Sequence, residues 1–218
     1  MPRFNPPLRG ILAITSEAAV ASPERLLAQA RSALAGGAAI LQYRDKWNGD
    51  AIKARNAAQL AELCRDFAAH LMINDDPALA RSAAAAGVHV GADDVDVAAA
   101  RRIVGDRAIV GATCGDSLLR AQRAVEQGAD YVAFGRLFPS RTKPLAPPAH
   151  LATLAGARTL PAAICAIGGI TPAHVATVVA AGADLVAVVD GIFGADDIEA
   201  ATRAYVAAFN AADTRGRR

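Results

Sequence analysis

Aromatic side chains are scarce in this chain, 5% of 218 residues, so a core of bulky rings pressed between two sheets is not what it builds. An apolar fraction of 53% carried by long alanine runs favours helices packed closely on a sheet. Cysteine is scarce as well. Cys64, Cys114 and Cys165 are odd in number and show neither C-x-x-C nor zinc-ligand spacing, which argues against a disulfide framework and for reduced thiols in a cytoplasmic protein. The four histidines, His70, His89, His150 and His174, are scattered without an H-x-x-x-H pair, so a histidine metal centre is not expected. A formal net charge of +2 leaves no global nucleic-acid footprint, and Arg215, Arg217 and Arg218 read as a frayed basic tail. No charge-free run is long enough to span a membrane, and the segment from Met1 to Gly10 lacks the apolar centre of a targeting signal.

What is present is an alternation. Short apolar runs are expected as strands at Gly10 to Thr15, Ala38 to Tyr43, His70 to Ile73, Val88 to Val90, Ile109 to Thr113, Tyr131 to Phe134, Ala162 to Ile167 and Leu185 to Val189. Helical patterns separate them. Ser22-Pro23 opens the first, Asp50 a long amphipathic one, and Pro77 one that runs through Ala86 with Gly87 as its cap. Further helices are expected at Val97 to Val104, Leu118 to Gln127, His150 to Leu154, from Thr171-Pro172, and at Asp196 to Asn210. Gly128-Ala129-Asp130 and Gly182-Ala183-Asp184 repeat one phrase, a helix stop followed by a turn into a strand. Eight βα units in so short a chain predict an α/β fold, a parallel (β/α)8 TIM barrel, as a single domain over 1–218 with 1–9 and 211–218 flexible. A doubly wound open sheet is the alternative, but no G-x-G-x-x-G follows an early strand.

In a barrel the chemistry collects at the carboxyl ends of the strands. Leu41-Gln42-Tyr43-Arg44-Asp45-Lys46 carries most of it: an extended backbone puts Gln42, Arg44 and Lys46 on one face, an anion site, with Tyr43 and Asp45 on the other. The same run also fits a charged strand end that dips into solvent. Asn74 and Asp75 follow the third strand, Asp94 the fourth and Thr113 ends the fifth. Two carboxylates on neighbouring strands suit Mg2+, although Asp75, Asp76, Asp93 and Asp94 are also the residue type that caps helices. The long loop from Gly135 to Pro148 holds Ser140, Thr142 and Lys143, and Gly168-Gly169 lets backbone N–H groups approach an anion at the start of a helix.

With these motifs assembled, the chain resembles the thiamine-phosphate synthase family from Gly10 to about Phe209. The likeness rests on the run from Leu41 to Lys46, Ile73-Asn74-Asp75, Gly87 to Asp94, Gly128-Ala129-Asp130-Tyr131, Phe138 to Pro144 and Ala166 to Ile170. The resemblance implies a transferase of thiamine biosynthesis that joins a pyrimidine diphosphate to a thiazole phosphate, with Mg2+ as cofactor. It implies that Gln42, Tyr43, Arg44, Asp45, Lys46, Asn74 and Lys143 surround the pyrimidine diphosphate. Arg44, Lys46 and Lys143 are the catalytic cations, and Asp75 and Asp94 hold the metal. Thr113 stands at the family's usual serine. Ser140, Arg141, Thr142, Gly169, Val189 and Asp190 line the thiazole phosphate. Gly115 stands where many members have histidine, and Asp190 where many have serine. The partners expected are these small molecules, with no nucleic acid and no membrane, and a homo-oligomer is compatible with the sequence. A thiazole tautomerase-like isomerase and a non-catalytic phosphate-binding barrel are the alternatives.

Overall fold

The computed structural model describes residues 8–91, 95–139 and 147–213. Eight parallel strands close on themselves in chain order: β1 (Gly10–Ile14), β2 (Ile40–Tyr43), β3 (His70–Asn74), β4 (Gly87–Val90), β5 (Ile109–Gly115), β6 (Tyr131–Phe134), β7 (Ala163–Ile167) and β8 (Leu185–Val188). Closure is made by β8 against β1, with Leu12 opposite Ala187. The period-two alternation of the strands divides the core into two shells. Leu12, Ile14, Ile40, Met72, Ile109, Tyr131, Cys165 and Leu185 fill the barrel. Their neighbours Ile11, Leu41, Tyr43, Ile73, Val88, Val110 and Val132 face outward to the helices. Burial on both faces is why the strands read as nearly continuous apolar runs.

Helices α1 (Pro23–Ala35), α2 (Asp50–Asp66), α3 (Pro77–Ser82), α4 (Val97–Val104), α5 (Leu118–Glu126), α6 (Leu151–Ala157), α7 (Pro172–Ala181), α8 (Asp190–Phe193) and α9 (Ile198–Ala212) form the outer layer. Their starts follow local chemistry. Ser22 Oγ accepts from the Arg25 N–H at 3.2 Å, and Asp76 accepts from the Leu79 N–H at 2.8 Å, each with proline next in the helix. The helix after Pro77 corrects the sequence expectation: it stops at Ser82, not Ala86, and Ala84 takes the left-handed conformation with φ +49°. Gly87 is therefore no cap. It is the first residue of β4, where a Cβ would overlap the Ile109 backbone. The four-residue α8 was not anticipated, and α9 runs to Ala212. Leu8 is buried and Arg9 forms an ion pair with Asp213, so these parts of the expected flexible ends are packed at the base. The rest of those ends lies outside the described residues.

The repeated Gly-Ala-Asp phrase has a role in closing the barrel. Asp130 Oδ2 accepts the Val110 N–H at 2.8 Å and Asp184 Oδ2 accepts the Ile164 N–H at 3.0 Å, so each carboxylate satisfies an amide of the preceding strand. Asp130 also pairs with Arg101, whose guanidinium donates to the carbonyls of Gly105, Ala108 and Gly128 at 3.0, 2.5 and 2.8 Å. Cys64, Cys114 and Cys165 are buried and unpaired, and burial pushes each thiol up to about 12, as for packing residues. Among the described residues no helix is long and apolar enough to cross a membrane.

Candidate active site at the barrel mouth

Inward-facing positions at the carboxyl ends of the strands are polar where those below are apolar. Gln42, only 3% exposed, is the last inward-facing residue of β2 and donates from Nε2 to Asn74 Oδ1 of β3 at 3.2 Å. The chain then leaves the barrel under tight control. The Arg44 N–H donates to Thr15 Oγ1 at 2.8 Å, and the buried Thr15 hydroxyl donates back to the Arg44 carbonyl at 3.0 Å. Lys46 Nζ lies 3.1 Å from Asp75 Oδ2. Asp75 sits in the left-handed region at φ +65°, and its N–H donates to the His89 carbonyl at 2.8 Å. A Gln42–Asn74 amide contact and a Lys46–Asp75 ion pair thus link the ends of two adjacent strands, with the Arg44 backbone clamped in the same segment.

Tyr43 and Asp45 belong to the other side of the strand, as the alternation requires. The Tyr43 hydroxyl donates to Asp45 Oδ2 at 2.7 Å and accepts from Asn56 Nδ2 of α2 at 3.3 Å. Burial, with the Asp45 hydrogen bond adding to it, pushes that hydroxyl above its usual range. Burial alone would raise the Asp45 carboxyl, but donors from Asn48, Tyr43 and Trp47 bring it down. The pair shapes the loop that presents Arg44 and Lys46.

Beneath the mouth runs a relay that sequence reasoning missed. His89 Nδ1 lies 2.8 Å from the Tyr131 hydroxyl and Nε2 2.9 Å from Thr113 Oγ1. Tyr131 is sealed from water, so the imidazole serves as a polar partner for its hydroxyl, and the ring bridges that hydroxyl to Thr113 on the next strand round. Gly111 makes room, since a Cβ there would overlap the Tyr131 ring. The signal was present in Val88-His89-Val90: two valines face the helices, so the histidine between them faces the barrel.

On the opposite side, Gly168 and Gly169 take φ +102° and +64°. A Cβ on Gly169 would overlap the carbonyl oxygens of Phe138 and Pro139, because the chain after β6 runs beside this turn, with Phe138 N–H donating to the Gly168 carbonyl at 2.9 Å. Val189 packs at the top of the inner shell, and Asp190 is exposed as the first residue of α8. Asp94, Ser140, Arg141, Thr142 and Lys143, with Asp93, lie outside the described residues.

Mg2+ takes oxygen donors, few of them from protein. Among the described residues no three His, Cys, Asp or Glu side chains gather as a full protein cage would need. One carboxylate at the mouth, already drawing the Lys46 ammonium, fits an ion that takes one or two protein carboxylates and completes its shell with water and phosphate oxygens.

Fold and mouth together define an enzyme of the parallel (β/α)8 barrel class with its polar groups at the carboxyl ends of the strands. Residues 11–192 match the family model described as thiamine monophosphate synthase. The thiamine-phosphate synthase of Methylococcus capsulatus is 49% identical over 206 residues, 94% of this chain and 91% of that protein. That of Chromobacterium violaceum is 48% identical, covering 94% and 99%. Among solved structures, thiamine phosphate pyrophosphorylase from Pyrococcus furiosus superposes with a TM-score of 0.85 at 27% identity, over 96% of this chain and 99% of the other. The chain belongs to the thiamine monophosphate synthase family, transferases of thiamine biosynthesis.

Proposed function

We propose that the chain makes thiamine phosphate by ionising 4-amino-2-methyl-5-(diphosphooxymethyl)pyrimidine and letting the nitrogen of 4-methyl-5-(2-phosphoethyl)thiazole capture the cation. The C–O bond to diphosphate breaks with its electron pair on the leaving oxygen. A C–N bond then forms at the pyrimidine methylene, giving thiamine phosphate and free diphosphate. No strong base is needed. The barrier is charge separation, and cations fixed before the bond breaks lower it most.

The observation that carries this reading is the grouping of Gln42, Asn74, Arg44, Lys46 and Asp75 on the ends of β2 and β3. Arg44 and Lys46 take up charge on the departing diphosphate, with Lys143 completing the set from the loop after β6. Gln42 and Asn74 orient the pyrimidine end, and the Thr113 hydroxyl, held 2.9 Å from His89 Nε2, contacts it from below. Asp75 with Asp94 would hold Mg2+, which when bound supplies positive charge to the diphosphate oxygens. The Gly169 turn, Val189 and the backbone at Asp190, with Ser140, Arg141 and Thr142, receive the thiazole phosphate. The cytoplasm is the compartment this reading implies.

Purified protein incubated with both substrates and Mg2+ should release thiamine phosphate and diphosphate in equal amounts. Leaving out either substrate or the metal should stop both. A complete mixture that yields no thiamine phosphate, while thiazole isomerisation proceeds, would replace this reading with that of an isomerase.

A further inference from the structure

Trp47 is the chain's single tryptophan, and 46% of it is exposed at the rim of the barrel, an expensive way to leave an indole unless it has work there. The Arg44 guanidinium carbon lies 5.4 Å from its ring centroid. Neither partner is loosely held. Arg44 is clamped at its N–H and carbonyl by Thr15. The Trp47 N–H donates to Asp45 Oδ1 at 3.1 Å, and Asp45 is tied to the barrel wall through the Tyr43 hydroxyl. Asn48 closes the turn, donating from Nδ2 to Asp45 Oδ2 at 2.8 Å and to the Val20 carbonyl at 3.0 Å. Among the described residues the Arg44 guanidinium has no carboxylate partner, so the indole is what its charge rests on.

Stacking uses the face of a guanidinium and leaves its N–H donors in the plane. A ring on one face therefore fixes the plane of the donor fork without competing for it, and strips water from that face. Lys46, one residue before the indole in the chain, supplies the second cation of the same rim.

We propose that Trp47 is a positioning residue for Arg44, an aromatic backstop that pre-orients the guanidinium for the diphosphate of the substrate. This rests on the reading of the mouth as a diphosphate site.

Inorganic diphosphate with Mg2+ is the probe. Because there is one indole, tryptophan emission reports this site alone. Diphosphate should shift the emission of the wild type and leave that of Arg44→Met unmoved. Trp47→Ala should bind diphosphate about two- to fivefold more weakly and raise KM for the pyrimidine diphosphate by a similar factor, with the thiazole KM and the melting temperature unchanged. Trp47→Phe, which keeps a ring beneath the cation, should recover most of the loss. If calorimetry shows diphosphate bound while wild-type emission stays fixed and Trp47→Ala binds equally well, the role of Trp47 is refuted and the diphosphate site stands. If calorimetry shows no binding to the wild type, the site and the role fall together.

Discussion

Tyr131→Phe deletes one fully buried oxygen from the inside of the barrel, and its effects can be followed to the mouth. The hydroxyl is 0% exposed by residue and 2.8 Å from His89 Nδ1, so no water replaces it when it goes. A buried polar atom left without its hydrogen-bond partner costs about 1–3 kcal/mol. For a chain of this length that is a melting temperature lower by about 2–4 °C per kcal/mol. A second effect follows from position. With the phenol oxygen gone, the imidazole loses one of the contacts that hold its ring in place, and its contact with Thr113 Oγ1, 2.9 Å away, loosens. Turnover should therefore fall in Tyr131→Phe although the residue lies below the substrate. The decisive assay is a double-mutant cycle with Thr113→Val, measured by both denaturant melts and kcat. Residues joined through one imidazole should be non-additive, by about 1 kcal/mol in stability. Additivity within about 0.3 kcal/mol in both readouts would show that His89 does not connect the two, and the relay would be refuted.

Three other outcomes are expected. Asp75→Asn, which keeps a side chain suited to the left-handed backbone, should abolish most Mg2+-dependent turnover at a nearly normal melting temperature, whereas Asp76→Ala, which removes the cap on Leu79, should keep turnover and lose about 1 kcal/mol; titrating Mg2+ alongside thermal melts checks both. Asp130→Asn breaks a buried pair and should destabilise by about 3–5 kcal/mol in urea melts without changing KM for either substrate. The Asp116 carboxylate accepts from the Thr153 hydroxyl at 2.5 Å, the His150 N–H at 3.0 Å and the His150 ring at 2.6 Å; these donors, Thr153 foremost, bring its carboxyl down to about 2. A depressed acid stabilises above its unfolded range and stops doing so as pH falls through its folded value, so the melting difference between wild type and Asp116→Asn should be full above about pH 4 and fade toward pH 2.

Strand positions were legible because each is a short apolar run between turn signals, and their count and alternation suffice for the barrel. Helix starts were legible wherever Ser or Asp precedes proline, as at Ser22 and Asp76. Helix ends were less so. Ala84 takes a left-handed turn that the composition does not advertise, and Gly87 owes its identity to the Ile109 backbone, a neighbour 22 positions away that no local pattern reveals. At the mouth, period-two alternation separates Gln42, which faces in, from Tyr43, which faces the helices. A family motif taken as a block merges the two. His89 was hidden for a related reason: one histidine between valines looks incidental until Tyr131 and Thr113, from strands two and one places further round, are seen to meet it.

The ion pair between Arg9 and Asp213 has a practical consequence for handling the molecule. It brings the start of β1 and the end of α9 within a side chain's length of each other on the floor of the barrel, with the full height of the sheet between them and the reacting groups. Tags or surface anchors attached through either position would leave substrate access clear. A short peptide bridging the two would turn the chain into a closed loop, and new ends could then be cut into an exposed helix connection, because a barrel whose strands pair all the way round has no privileged seam.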